Sequence, residues 1–448
     1  MPFRHTLWLL GAGLLTLAGA TFAAQPQVSL DLSGENLHPV HLIRPHVAPL
    51  SGMAQLGRQI FYDSGLSSSG RMSCASCHSP QHAYGPPNDA PVMLGGPDLS
   101  RPGVRAVPSL EYLERQPPFS IGPDDPNLEN VNIMHMAALG QTAARAQKIA
   151  TSTQAAANIV PQGGLFWDGR ANTFQDQAIG PLLNPLEIDG GSIAKVAAHF
   201  RQPSYAKLFA ELFGPGIFHE PKLLVAEAMF AVGRYQFEEP TFHPYTSKYD
   251  YWLEGKARLS AAETRGYRLF NDPNKANCGG CHLDQPTRDD LPPLFTDHQY
   301  EALGAPRNPA LAANKDPDYF DLGICGPYRS DMASQTQFCG MFATPTLRNV
   351  ATRKVYFHNG VFRSLQQVLD FYNFRETNPE KVYPRDADGK VKKYNDIPAR
   401  YQANVDVADP PFDRHLGQTP AMTAQDETDI IAFLQTLTDG YKPNGVDP

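Results

Sequence analysis

No internal stretch of this chain is apolar for long enough to span a bilayer, so a membrane-embedded body is not expected. Alternating apolar and polar runs of the strand type are scarce, which points away from a β-built fold. Charge is sparse too, at 19% of residues, and the net value of -8 is mild for 448 residues. That balance argues against a nucleic-acid partner and leans only weakly toward a basic redox partner. What the chain does have is 42% hydrophobic residues over a length sufficient for two cores. With 36 glycines and 41 prolines, it should wrap many turns and ordered loops around its helices.

The N-terminus carries an export pattern. Arg4 and His5 precede an apolar run from Leu7 to Ala20 that ends in Thr21-Phe22-Ala23, a small-x-small cleavage site. The run is short for a membrane anchor, and the polar segment Gln25-Pro26-Gln27 follows it. We therefore expect residues 1–23 to be a signal peptide, with a periplasmic mature protein and no membrane attachment after cleavage.

The six cysteines form two CxxCH motifs and a pair. Cys74-Ala75-Ser76-Cys77-His78 and Cys278-Gly279-Gly280-Cys281-His282 both have the c-type heme attachment spacing, in which two thiols reach the two vinyl groups of one porphyrin while the adjacent imidazole meets the iron. A single CxxC also suits a thioredoxin-like pair or half a zinc site. Two copies, each followed directly by His in an exported chain, favour two covalently bound hemes c with His78 and His282 as proximal ligands. Cys325 and Cys339 lack a following His and are expected to form a disulfide in an oxidising compartment.

Each motif follows a helical segment ending in a similar element, Phe61-Tyr62-Asp63 in one case and Phe270-Asn271-Asp272 in the other, which suggests duplication. The second copy opens with Ser260-Ala261-Ala262-Glu263, a capping box. The expected fold is thus mainly α, with two cytochrome c-like heme domains and long loops, residues 24–255 and 256–448. Ser364 should cap a helix presenting Leu365, Val368, Leu369 and Tyr372 on one face, and Thr423 to Thr438 should form another that stops at Gly440. Residues 83–164 are rich in Pro, Gly and Asn, with a helical patch from Ile133 to Ala150 that contains Met134, His135 and Met136 and has no assigned role.

Beyond these signals the chain resembles the bacterial diheme cytochrome c peroxidase and MauG superfamily. The likeness is carried by the first CxxCH block, by Phe166-Trp167-Asp168-Gly169-Arg170, by Gly180-Pro181-Leu182-Leu183-Asn184-Pro185-Leu186-Glu187, and by Thr344-Pro345-Thr346-Leu347-Arg348-Asn349 with Tyr356-Phe357-His358-Asn359-Gly360. The resemblance implies that hydrogen peroxide reacts at the N-terminal heme and that the C-terminal heme relays electrons. It implies that Glu187 is the distal proton carrier, that Gln177 and Pro181 line the same pocket, and that Trp167 lies between the hemes. A buried carboxyl can both deprotonate the bound oxygen and protonate the leaving one. Without the resemblance, Glu187 reads as an exposed turn residue and Trp167 as a core aromatic.

In classical members the resemblance implies a Met as sixth ligand of the second iron, and in MauG-like members a Tyr; here the matching position is Tyr372, with Met341 or another Met as the competing donor. A phenolate stabilises higher oxidation states of iron, whereas a thioether raises the potential. His358 is expected beside the second heme as a support rather than a ligand. Two positions depart from the pattern. Ala276 stands where MauG has a surface Trp, and Ala106 where many members have an Asn calcium ligand, leaving a Ca2+ site between the hemes to carbonyls near Arg353 and Val355.

The enzyme reading is peroxide reduction with electrons from a small cytochrome c or other redox protein, or from an aromatic residue of a protein substrate. The competing reading is a non-catalytic diheme electron carrier with both irons six-coordinate. An open distal side at the first heme separates the two, and His82 is too close to His78 in sequence to cross easily to the other face.

Overall fold

The computed structural model describes residues 33–123 and 159–443. The expected signal peptide and the patch containing Met134, His135 and Met136 lie outside the described residues. Within them the architecture is mainly helical, and no helix is long and apolar enough to cross a membrane.

The helices in chain order are α1 (Gly52–Phe61), the single turn α2 (Cys74–Cys77), α3 (Phe174–Leu183), α4 (Ile193–His199), α5 (Pro203–Phe213), α6 (Pro221–Glu238), α7 (Lys248–Leu253), α8 (Ala261–Phe270), α9 (Leu365–Phe374) and α10 (Ala424–Gln435). Three antiparallel two-stranded ladders pin the loops: β1 (Leu94–Gly95) with β2 (Arg101–Pro102), β3 (Ser120–Pro123) with β4 (Ile159–Gln162), and β5 (Tyr300–Glu301) with β6 (Phe342–Ala343). Local chemistry sets the helix starts. Ser51, Thr173, Ser260, Ser364 and Thr423 each accept a backbone N–H from the first turn through the side-chain oxygen. The last helix ends at Gln435, short of the expected Thr438, because the Thr436 hydroxyl donates to the Phe433 carbonyl at 2.6 Å and the chain turns off.

The helix before each CxxCH crosses a later helix at a glycine. A Cβ on Gly57 of α1 would stand 1.8 Å from the Ala231 carbonyl oxygen of α6, and one on Gly266 of α8 would stand 1.9 Å from the Asp429 carbonyl oxygen of α10. Only hydrogen fits at either crossing, so backbone meets backbone in both pairs.

Buried apolar side chains gather in two large cores. One runs from Leu56 to Phe242 around α1, α4, α5 and α6; the other holds Tyr249, Trp252, Phe270, Phe371, Phe433 and their neighbours through Leu437, with Leu42 added from the N-terminal segment. The change of core falls between Phe242 and Tyr249. Its physical cause is that the chain at 34–44 lies over α7: Trp252 Nε1 donates to the Gly34 carbonyl at 3.0 Å, Asn36 Nδ2 to the Leu253 carbonyl at 2.9 Å, and Arg44 pairs with Glu254 at 2.9 Å.

A tight turn also occurs twice. Phe166-Trp167-Asp168-Gly169 and Phe357-His358-Asn359-Gly360 each place the Phe and the Gly at positive φ, 68° and 66° in the first, 66° and 61° in the second. Each is closed by an antiparallel bridge, Leu165 to Ala171 and Tyr356 to Phe362, and each leads into a capped helix, α3 or α9.

Candidate active site

Two cavities open on the two CxxCH motifs. The smaller, about 160 Å³, is walled by Cys74, Cys77 and His78 together with Pro181, Glu187 and Met229. The larger, about 530 Å³, is walled by Cys278, Cys281 and His282 and by the α9 face Leu365, Val368, Leu369 and Tyr372. Phe166, Trp167 and Gln177 line both, so they stand between them. The four motif cysteines are unpaired, while Cys325 and Cys339 are joined as expected, with Cα atoms 5.0 Å apart.

Both imidazoles are set the same way. His78 Nδ1 lies 3.0 Å from the Tyr84 carbonyl and His282 Nδ1 lies 2.9 Å from the Phe295 carbonyl. A carbonyl only accepts, so each Nδ1 carries the proton and each Nε2 is left as a lone-pair donor. Burial pushes both rings down to about 4, which keeps them neutral at pH 7. Two thiols, a fixed imidazole lone pair and apolar walls at each site fit a covalently held iron porphyrin.

Beyond that shared floor the cavities differ. Glu187 follows α3, and its Oε1 accepts from Asn184 Nδ2 at 2.8 Å. Burial raises its pKa, against the opposing pull of Arg170 and Asn184. Arg170, whose guanidinium lies 3.6 Å from the Phe166 ring centroid, pairs with buried Asp168 at 2.8 Å. The β1–β2 hairpin closes over the carboxyl-bearing loop: the Gly96 N–H donates to the Glu187 carbonyl at 2.9 Å, and a Cβ on Gly95 would meet the Leu186 carbonyl oxygen at 2.2 Å. Thus part of the Pro- and Gly-rich segment after residue 83 roofs the smaller cavity, a role sequence reading did not assign. Trp167 Nε1 donates to the Ala106 carbonyl at 2.9 Å.

In the larger cavity Tyr372 stacks on Phe412 at 5.2 Å and 23°, and burial pushes its phenol well up. Met341 packs instead in a separate small cluster with Ile324 and Phe338, and among the described residues no methionine lines this cavity. His358 stacks on Phe342 at 3.5 Å, and its Nε2 has no hydrogen-bond partner, lying 4.0 Å from Asp396. Arg353 also lines this cavity and donates from Nη2 to the Val107 carbonyl at 2.8 Å.

The repeated turn makes α3 and α9 comparable position by position. Counting eight residues from the caps, Thr173 leads to Pro181 and Ser364 leads to Tyr372. The same place on the two helices therefore offers a ring without a donor atom in the smaller cavity and a phenol in the larger. Sequence reading named both residues but not their equivalence; the signal was the shared Phe-x-x-Gly spacing ahead of each cap.

A mainly helical chain with two His-bearing CxxC cavities is the architecture of a diheme c-type protein. Residues 51–258 match the family described as di-haem cytochrome c peroxidase. Methylamine utilization protein MauG of Paracoccus denitrificans is 31% identical over 87% of this chain and 90% of its own length. Cytochrome c551 peroxidase of Nitrosomonas europaea is 26% identical over 83% of this chain and 86% of its own. The crystal structure of the diheme peroxidase BthA from Burkholderia thailandensis superposes with a TM-score of 0.73 at 33% identity, covering 92% of both chains. The chain belongs to the diheme cytochrome c peroxidase and MauG family, and it is a diheme peroxidase-type oxidoreductase.

Proposed function

We propose that this protein reduces hydrogen peroxide in the smaller cavity and holds the larger as the electronic neighbour of that site. The observation that carries the reading is the pairing of Pro181 with Tyr372. The first helix position has nothing to bind iron and leaves room for an oxidant, whereas the second presents a ligand atom. Covalent heme c at each motif supplies the redox chemistry. His78 and His282 would each hold one of the irons, and Tyr372 would be a further donor to the second.

Glu187 moves the proton. With its pKa raised by burial, it takes the proton from one peroxide oxygen and returns it to the other, the exchange that heterolysis of the O–O bond requires. Arg170 and Asn184 hold the carboxyl in place, while Gln177 and Pro181 shape the wall beside it. Trp167, lining both cavities, shortens the path for electrons between them. The two Gly-centred helix crossings, the two carbonyl-oriented histidines and the two Phe-x-x-Gly turns support a duplicated pair of heme units that meet between Phe242 and Tyr249.

Residues 1–23 direct the chain to the periplasm in this reading, where electrons come from a small cytochrome c or from an aromatic side chain of a protein substrate. Calcium has no step in it. The Ala106 carbonyl already accepts from Trp167, the Arg353 carbonyl accepts from the Tyr356 hydroxyl at 2.8 Å, and the Arg353 guanidinium stands nearby. The electron-carrier reading keeps one foothold, since Met72, Met93 and Met229 border the smaller cavity and a thioether could close the first iron. Stoichiometric peroxide added to the purified diferric protein decides. A long-lived state with both irons oxidised beyond ferric supports the MauG-like form of this proposal, activity only after partial reduction supports the classical peroxidase, and no response to peroxide in either the diferric or the half-reduced protein overturns both.

A further inference from the structure

Behind His78 the first core contains a line of aromatic side chains that reaches solvent. Tyr84, whose carbonyl orients His78, is buried and stacks on Phe242 at 3.6 Å. Phe61, on the wall of the smaller cavity, touches Tyr84 at 6.2 Å, Tyr235 at 5.5 Å and Tyr62 at 5.4 Å between ring centroids. The Tyr62 and Tyr235 rings are 6.4 Å apart with hydroxyls at 3.4 Å, and the Tyr84 and Tyr235 hydroxyls are close enough for each to act on the other's ionisation. Tyr84 and Tyr235 are each 2% exposed, whereas Tyr62 is 44% exposed.

We propose that Tyr84, Tyr235 and Tyr62 form a conduit by which one oxidising equivalent at a time leaves the first site for the protein surface, making Tyr62 a site for one-electron oxidation of exposed phenols or similar aromatic donors. The proposal rests on the peroxidase reading above. Peroxide takes two electrons and two protons and becomes two waters. The two electrons are drawn one at a time from Tyr62 through Tyr235 and Tyr84, so that two donor molecules are used per peroxide; each time the Tyr62 O–H bond breaks, its proton passes to water, and a neutral phenoxyl remains. An aromatic donor in solution then returns one electron and one proton.

Phenols suit this step, because loss of the electron makes the hydroxyl strongly acidic and needs an acceptor at hand. Tyr62 has solvent. Tyr84 has a relay, since its hydroxyl lies 2.7 Å from Thr241 Oγ1, which donates to Glu239 Oε1 at 3.1 Å. Among the described residues the second unit has no matching exit. The residue matching Tyr62 is Asn271, and its own aromatic group Tyr249, Trp252 and Tyr267 is buried, with the indole N–H capped by Gly34.

The test is peroxide treatment of the full diheme protein with a nitroso spin trap, followed by peptide mass spectrometry to locate adducts and freeze-quench electron paramagnetic resonance to type the radical. The expected result is a tyrosyl radical and an adduct on Tyr62, both lost in Tyr62→Phe. In Tyr235→Phe the Tyr62 adduct is also lost, although Tyr62 is present and still labelled when an external photochemical oxidant replaces peroxide. An adduct at Tyr62 that survives Tyr235→Phe, or none in the parent protein while its heme spectrum responds to peroxide, overturns the conduit alone. A heme spectrum indifferent to peroxide in both the diferric and the half-reduced protein overturns the peroxidase reading and the conduit with it.

Discussion

The two cofactor units are built on one plan and finished differently. In each, a glycine lets two helices meet backbone to backbone, a main-chain carbonyl fixes the histidine, and a left-handed Phe opens the turn that leads to the capped helix facing the cavity. What differs is a handful of side chains. The first unit has Pro181 on that helix, a buried Glu187 beyond it and an aromatic line ending at an exposed Tyr62; the second has Tyr372 and aromatics sealed under the N-terminal segment. The comparison teaches that the two cavities share their histidine-bearing floor, and that the proposed choice between an open reactive site and a closed electronic one rests on those few positions.

The comparison breaks most severely at Glu187. Glu187→Gln keeps the shape and removes the mobile proton, so steady-state peroxide turnover should fall by about 10²–10⁴-fold. The proposed exchange begins from the base form, so in the parent enzyme turnover should rise with pH through an apparent pKa above that of an ordinary carboxyl and fall away below it. A pH profile that keeps its acid limb in Glu187→Gln would assign the proton to another group.

Next in size is a contact peculiar to the second unit. Arg348, fully buried, makes a bidentate pair with Asp250 at 2.8 and 3.0 Å. Asp250→Asn leaves that guanidinium without its counter-charge and should cost roughly 3–5 kcal/mol, read as a lower denaturation midpoint. The shared glycines come after it. Gly57→Ala and Gly266→Ala each force a helix pair apart, at about 1–3 kcal/mol apiece by the same assay. Equal losses are expected, and a strong inequality would show that the two crossings are not equivalent. Smallest is the cap of the Tyr372 helix, where Ser364→Ala should cost about 1 kcal/mol.

The sequence disclosed the parts whose chemistry demands fixed local spacing. The caps at Ser260, Ser364 and Thr423 and the Cys325–Cys339 pair stand as read, and each CxxCH motif opens on a cavity. Parts that depend on distant segments stayed hidden. Trp252 belongs to the second core because Gly34, 218 residues away, accepts its indole N–H. The roof over Glu187 depends on a glycine hairpin whose own residues are too short to register as strands. Arg170 could be read only as a charge after a turn until Glu187 was placed beside it. The match of Pro181 to Tyr372 was in the sequence, but the turns had to be seen to share a conformation before the helices could be set in register.

The most direct test of this asymmetry is the electron paramagnetic resonance spectrum of the diferric protein before and after Tyr372→Met. The account predicts one iron with a vacant position and one closed, with the substitution altering only the closed iron and raising its potential. Two closed irons in the parent protein, or a second iron whose signal and potential ignore the substitution, would contradict it.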